Sequence, residues 1–223
     1  MREIVLDTET TGLDPSDGHR IIELCCLELD NHLPTGRVYH TLIQPERDIP
    51  EESVRVHGLT AEKLADAPLF AGIAEELLGF IGDSRLVIHN AEFDMRFINA
   101  ELARYGWPSL PMARTKDTVR MARTKFPGAQ ASLDALCRRF GIDNSARTKH
   151  GALLDAELLA EVYLELTGGR QPGLALASEA RLVAEGRKQT MHPPRAHAPT
   201  EAETAAHETF IKRFVKDAIW SLG

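Results

Sequence analysis

The run Ile4-Val5-Leu6 is short, apolar and rich in β-branched residues, and it leads directly into Asp7-Thr8-Glu9. Read as a strand, it places Asp7 and Glu9 on one face, because side chains along a strand alternate with a period of two. Two carboxylates side by side repel unless water surrounds them or a cation lies between them. Hard oxygen donors of this kind suit magnesium or manganese. Alone, the spacing carries little, since Asp155-Ala156-Glu157 repeats it in a helical context where positions i and i+2 do not face each other.

Two further acids stand at comparable places. Leu86-Val87-Ile88 reads as a compact buried strand, and Asp94 follows it at the opening of a helix, four residues after Asn90. Asp155 falls in the first turn of a helix over 151–166, with His150 five residues before it. Acids in a first turn ordinarily answer the helix dipole. Here each stands where a strand ends or a helix begins, so all four can converge on one edge of a sheet.

The rest of the pattern supplies that sheet. Strands are expected over 3–8, 21–29 and 38–44, the last two joined by a turn over 30–36, so the three form a meander. Apolar residues at 70, 73, 77, 78 and 81 have helical spacing. Phe93, Phe97, Ile98, Leu102 and Tyr105 mark another helix, stopped near Gly106-Trp107-Pro108, and 132–140 and 151–166 read as two more. Strands first, then strand–helix alternation, predicts an α/β architecture with a mixed sheet flanked by helices.

Composition bounds the function. With 43% hydrophobic and 26% charged residues among 223, the chain is globular in character. No apolar run nears the ~20 residues of a membrane span. Met1-Arg2-Glu3-Ile4 is no start for a secretory signal, so a cytoplasmic protein is expected. Cys25, Cys26 and Cys137 read as small buried hydrophobes in a reducing compartment. A net charge of −7 argues against an autonomous, tight grip on nucleic acid. Yet residues 104–149 hold ten Lys/Arg against three acids, leaving the remainder at −14. Such a basic band suits a polyanion held at one place, and equally a solvated helical face.

After Gly168-Gly169 the composition shifts. Residues 170–200 hold no aromatic residue and four of the 12 prolines, which reads as a flexible linker over 170–199. Thr200 with Glu203 has the form of a capping box. Phe210, Ile211, Phe214, Val215, Ala218 and Ile219 then line one face of a helix, with Lys212, Arg213 and Lys216 on the other. The expected organisation is a domain over 1–169, a tether, and a helical tail over 200–223 whose apolar face fits a partner's groove.

Taken together, Val5-Leu6-Asp7-Thr8-Glu9-Thr10-Thr11-Gly12-Leu13, His89-Asn90-Ala91-Glu92-Phe93-Asp94 and His150-Gly151-Ala152-Leu153-Leu154-Asp155-Ala156 resemble the three motifs of the DEDD exonucleases. His150, five residues before Asp155, is similar to the histidine of the DEDDh branch; the tyrosine branch would carry Tyr where Gly151 stands. Val56-His57-Gly58-Leu59-Thr60, Phe126-Pro127-Gly128, Ser132-Leu133-Asp134-Ala135-Leu136-Cys137 and Gly141-Ile142-Asp143-Asn144-Ser145 extend the likeness to the proofreading epsilon subunits of bacterial DNA polymerase III. The resemblance covers about 1–168.

It implies a ribonuclease H-like fold and hydrolysis of 3′-terminal nucleotides by two-metal catalysis. Asp7, Glu9, Asp94 and Asp155 would hold two divalent ions, Mg²⁺ or Mn²⁺, and His150 would act as general base. Asp7, Glu9, Thr10, Thr11, Gly12, Leu13, His57 and Asp155 would meet the 3′ end of a DNA strand. Asn90, Asp117 and Asp134 are expected in supporting roles, and Phe93, like Phe97, in the core. Gln171-Pro172-Gly173-Leu174-Ala175-Leu176 resembles a sliding-clamp motif, with Gln171, Leu174 and Leu176 as its anchors. The tail, through Phe210, Ile211, Phe214, Val215, Ile219 and Trp220, would dock on the polymerase's catalytic alpha subunit. Whether a small accessory subunit also binds is left open. The rival reading is a free-standing DEDDh enzyme trimming RNA ends or short oligonucleotides; it has no use for a tether and tail.

Overall fold

The structure, a computed structural model, describes residues 1–169 and 198–215. Gln171, Leu174, Leu176, Ile219 and Trp220 lie outside the described residues. Contacts divide the chain into two units, 1–171 and 172–223.

The first unit is built on a five-stranded sheet of order β3-β2-β1-β4-β5. β1 (Arg2–Thr10), β2 (Ile21–Asp30) and β3 (Leu33–Leu42) pair antiparallel as the expected meander, while β4 (Arg85–Ile88) and β5 (Thr115–Asp117) extend the sheet parallel to β1. The turn between β2 and β3 is tighter than the sequence suggested. Asn31 and His32, at φ 49° and 69°, reverse the chain by themselves, and Pro34–Gly36 lies inside β3. An edge strand tolerates Pro34, which has no N–H to offer a further neighbour. Most of β3 is exposed, so no alternation revealed where it begins.

β1 alternates as its spacing demands, with Ile4 and Leu6 feeding one core and Val5 the other. The first core gathers Leu24, Phe70, Leu77, Phe97 and Ile98 beneath α3 (Phe70–Ile81) and α4 (Ala91–Arg104). The second gathers Leu27, Val87, Leu136, Leu159 and Tyr163 beneath α5 (Thr118–Lys125), α6 (Leu133–Phe140) and α7 (Ala152–Thr167). Each fully buried side chain of this kind contributes about 1.5–3 kcal/mol. All three cysteines are buried free thiols. The short helices α1 (Glu51–His57) and α2 (Ala61–Leu64) follow β3. Across the first core, Arg20 and Glu101 form a buried two-pronged ion pair, at 2.7 and 2.9 Å, that ties α4 to the start of β2.

In the second unit, α8 (Glu201–Phe214) opens with the expected capping box between Thr200 and Glu203. Phe210 and Phe214 are exposed and lie 5.1 Å apart, centroid to centroid. Val215 departs from expectation: its backbone is extended at φ −117°, so it closes the helix instead of continuing its stripe. Among the described residues, no helix is long and apolar enough to cross a membrane.

Candidate active site

β1 and β4 are parallel and reach the same edge of the sheet. Asp7 and Glu9 stand at the end of β1. After β4 the chain turns through Asn90, held left-handed at φ 69°, straight into α4, which places Asp94 in the first turn. Asp155 occupies the first turn of α7. These elements enclose a cleft of about 770 Å³, lined by Asp7, Glu9, Asp94, Asp155 and His150. Thr10, Thr11, Gly12, Leu13 and His57 complete its wall. Every site residue read from the sequence of residues 1–169 therefore lies on one cavity. Ligand atoms of Glu9, His150 and Asp155 fall within 4.8 Å of one another; Asp7 and Asp94 line the same cleft outside that tighter group.

The carboxylates are crowded and shielded from water. Burial, then the charges of Asp94, Asp155 and Glu9, hold the Asp7 carboxyl well above its ordinary range. Burial and the neighbouring Asp155 and Glu23 push Glu9 up to about 8. Burial raises Asp94 to about 7, opposed by the Thr8 hydroxyl, which donates to its Oδ1 at 2.7 Å. Three acids in this state, with Asp155 beside them on the same cleft, lack positive charge.

One residue that the sequence reading passed over supplies part of it. Arg147, only 9% exposed, donates from Nε to Asp155 Oδ1 and from Nη2 to Asp155 Oδ2 at 2.7 Å. Its Nη1 reaches both oxygens of Asp134, at 3.1 Å each. A lone arginine inside a basic band carries no signature, and its place eight residues before Asp155 was the available clue. The band is otherwise largely occupied: Arg114, Lys116 and Lys125 bond to neighbouring segments, and Arg139 stacks on Phe126. Arg120 and Arg123 are exposed and line a second cleft of about 470 Å³, which shares His89 with the first.

His150 is half-exposed, and its backbone N–H donates to the Val56 carbonyl at 3.1 Å, pinning the loop that carries it. Through that bond the His150 loop is joined to α1. α1 is itself tied to the end of β1, where Ser53 Oγ donates to the Thr11 carbonyl. The Leu59 N–H donates to His57 Nδ1, which leaves the ring proton on Nε2. His57 Nε2 is buried and has no partner among the described residues, an open donor on the cleft wall.

Gly12 is needed for a closer reason than approach to a ligand. A Cβ there would collide with the His19 ring, which Thr11 Oγ1 holds at 3.1 Å. Leu13 is 80% exposed on the cleft rim, an apolar surface open to a flat partner. Phe93 is half-buried and lines the cleft while leaning on Phe97, so only Phe97 is purely core. Asp117 caps α5 and also accepts from the Asn90 N–H at 3.3 Å, bracing the turn before Asp94. Ser132 caps α6, and Asp134 lies in that helix's first turn, held by Arg147 and Asn144 in a supporting role.

The donor set fits a divalent cation. Hard carboxylate oxygens converge in a partly dehydrated cleft, their charge only partly offset by one guanidinium.

Comparison with known proteins agrees with this geometry. The family model described as Exonuclease matches residues 4–163. The chain is 48% identical over 226 residues to the DNA polymerase III subunit epsilon of Rickettsia conorii, covering 98% of both chains. It is 42% identical over 221 residues to the subunit epsilon of Escherichia coli, covering 93% of this chain and 90% of the relative. Among solved structures, the nuclease domain of 3′hExo, a DEDDh family member bound to rAMP, superposes with a TM-score of 0.64 at 20% identity, over 74% of this chain and 91% of that one. E. coli Exonuclease I in complex with a dT13 oligonucleotide gives 0.65 at 18% identity, over 82% and 45%. At these identities the structural matches speak to the fold.

Proposed function

The chain belongs to the exonuclease family, and within it to the epsilon subunits of DNA polymerase III, proofreading 3′–5′ exonucleases; from that membership we propose how its own residues divide the work. The observation that carries the proposal is the meeting of Asp7, Glu9, Asp94, Asp155 and His150 on one cleft from distant segments. The four acids would hold two divalent ions, Mg²⁺ or Mn²⁺. When bound, such ions supply Lewis-acid stabilisation of the charge developing on the scissile phosphate and lower the pKa of water. His150 takes the proton of the attacking water. Thr10, Thr11 and Gly12 hold the terminal nucleotide of a 3′ end, Leu13 packs on its base, and His57 Nε2–H meets an acceptor on it. Hydrolysis breaks the last phosphodiester and releases a nucleoside monophosphate.

The remaining segments belong to the replicase context. The apolar face of α8, carried by Phe210, Ile211 and Phe214, docks on the polymerase's alpha subunit, with Val215, Ile219 and Trp220 continuing the contact. Residues 170–199 act as the tether, and Gln171, Leu174 and Leu176 engage the sliding clamp. A polymerase that holds the tail supplies effective concentration, so a chain of net charge −7 need not grip DNA alone. The protein would work in the cytoplasm.

The test has two halves. Asp7→Asn, Glu9→Gln, Asp94→Asn and Asp155→Asn should each nearly abolish release of nucleotides from single-stranded DNA with Mg²⁺, and His150→Gln should lower turnover by roughly 10²–10⁴-fold. A chain ending at residue 199 should hydrolyse free single strands normally and fail to co-elute with the alpha subunit. Near-normal nuclease activity in the carboxylate variants, or co-elution of the shortened chain, would refute the respective half.

A further inference from the structure

The carboxylate cluster already contains a cation from the protein itself. Arg147 reaches it from the segment between α6 and α7 and is nearly enclosed there. It contacts three groups at once: both oxygens of Asp155, both oxygens of Asp134, and His150 Nδ1 at 3.1 Å. A guanidinium only donates hydrogen bonds, so His150 Nδ1 must accept, and the proton of the neutral ring sits on Nε2. In that arrangement His150 has no free lone pair with which to take a proton from water. Asp155, meanwhile, gives one lone pair of each oxygen to the arginine, whose positive charge opposes a metal ion at that carboxylate. Arginine cannot surrender its charge by losing a proton, so it can leave only by moving.

We propose that Arg147 is a resident counter-ion and positioning residue: it holds Asp155 and His150 in a resting arrangement that a divalent cation must displace before both groups are free to act. This rests on the metal-binding reading of the cleft given above. Several features of the structure support it. Arg147 faces the four acids from the cleft wall, where it lowers the repulsion among them. The Asp134 end of its guanidinium is a second anchor away from the metal ligands, so the side chain can pivot on Asp134 without leaving the protein. The backbone behind His150 is fixed through Val56, so the imidazole can turn free while its loop stays in place. The device would keep a metal-free site intact and idle.

The experiment is a calorimetric titration of Mn²⁺ into the full-length wild type and into Arg147→Gln. With the competing cation gone, the variant should bind Mn²⁺ about tenfold more tightly, the scale of one charge-assisted contact. Its metal-free melting temperature should fall below that of wild type, and the gap should close at saturating Mn²⁺. Arg147→Lys, still cationic but without the fork, should lie between the two. Equal or weaker Mn²⁺ binding by Arg147→Gln would overturn the proposal. If that variant does not fold without metal, the wild type carries the test alone through nitrogen-15 NMR. The Arg147 Nε–H and His150 ring signals should change together along one Mg²⁺ saturation curve. An Arg147 signal that stays unchanged while metal saturates the site would equally overturn it. Nucleotide release from single-stranded DNA, measured on the same wild-type sample, reports separately on whether the cleft is a nuclease site at all.

Discussion

Thr8 donates its hydroxyl to Asp94 Oδ1 at 2.7 Å, joining β1 to α4 across 86 residues of sequence. The bond favours the ionised carboxylate and works against the burial that raises Asp94 to about 7. Thr8→Val keeps the shape of the side chain and removes that support. Affinity for Mn²⁺ should fall roughly tenfold, since a hydrogen bond to a charged group contributes ~1.5–3 kcal/mol. Activity should return at high metal concentration. Activity measured against Mn²⁺ concentration decides it: a lower plateau with an unchanged half-saturation point contradicts the account.

The same raised values give the metal-free protein a pH dependence. Glu9 near 8 and Asp94 near 7 are protonated in the fold where the unfolded chain, at ordinary values of 4.5 and 3.8, is not. The folded state then binds more protons than the unfolded one. The stability this confers is full below the unfolded values and is lost as pH rises through 7 and 8. With chelator present, the melting temperature should fall between about pH 5.5 and 8.5, and Mg²⁺ should reduce the fall by binding the ionised form. Glu9→Gln should flatten it. A metal-free melting temperature that rises over this interval would be the wrong sign.

Arg20 and Glu101 hold the helix that carries Asp94. Both are almost fully buried, at 5% and 3% exposure, and Glu101 also accepts from the Ile21 N–H. Removing one member leaves the other charged and unpaired in the core. Glu101→Ala should cost about 3–5 kcal/mol in denaturant unfolding. Replacing both residues with apolar ones of similar size should restore much of the loss. If the single variant unfolds at the wild-type denaturant midpoint, the pair does not brace α4.

The free part of the basic band predicts a kinetic split. Arg120 and Arg123 face the smaller cleft that adjoins the first at His89, and the prediction is that they meet the upstream phosphates of a bound strand. Replacing both with Gln should raise KM for single-stranded oligonucleotides several-fold and reduce its salt dependence, because fewer counter-ions are released. Turnover at saturation should not change. An unchanged salt slope would make these arginines a solvated helical face.

The sequence was most legible where packing forces a period. β1, β2, α3, α4 and α7 bury at least one face each, and their alternation or helical spacing shows it. α1 left no such trace, because His57 is its only buried residue. β5 is three residues long, and α5 buries just Thr118 and Ala122. At the site, the acids and His150 were legible because each stands at an element boundary beside a motif. His57's orphaned Nε2 and Arg147's hold on Asp155 depend on contacts between distant segments, which no spacing records.

Asp7, Glu9, Asp94 and Asp155 are spread along the first unit, and the last of them sits on α7, which packs against β1 and β2. A ribosome therefore releases the first three acids well before the fourth. Until α7 has emerged and settled against the sheet, the growing chain holds most of the proposed metal ligands and no complete cleft. Competence to degrade DNA arrives with completion of the domain, so a truncated or stalled product would be inert toward the chromosome it is made to protect.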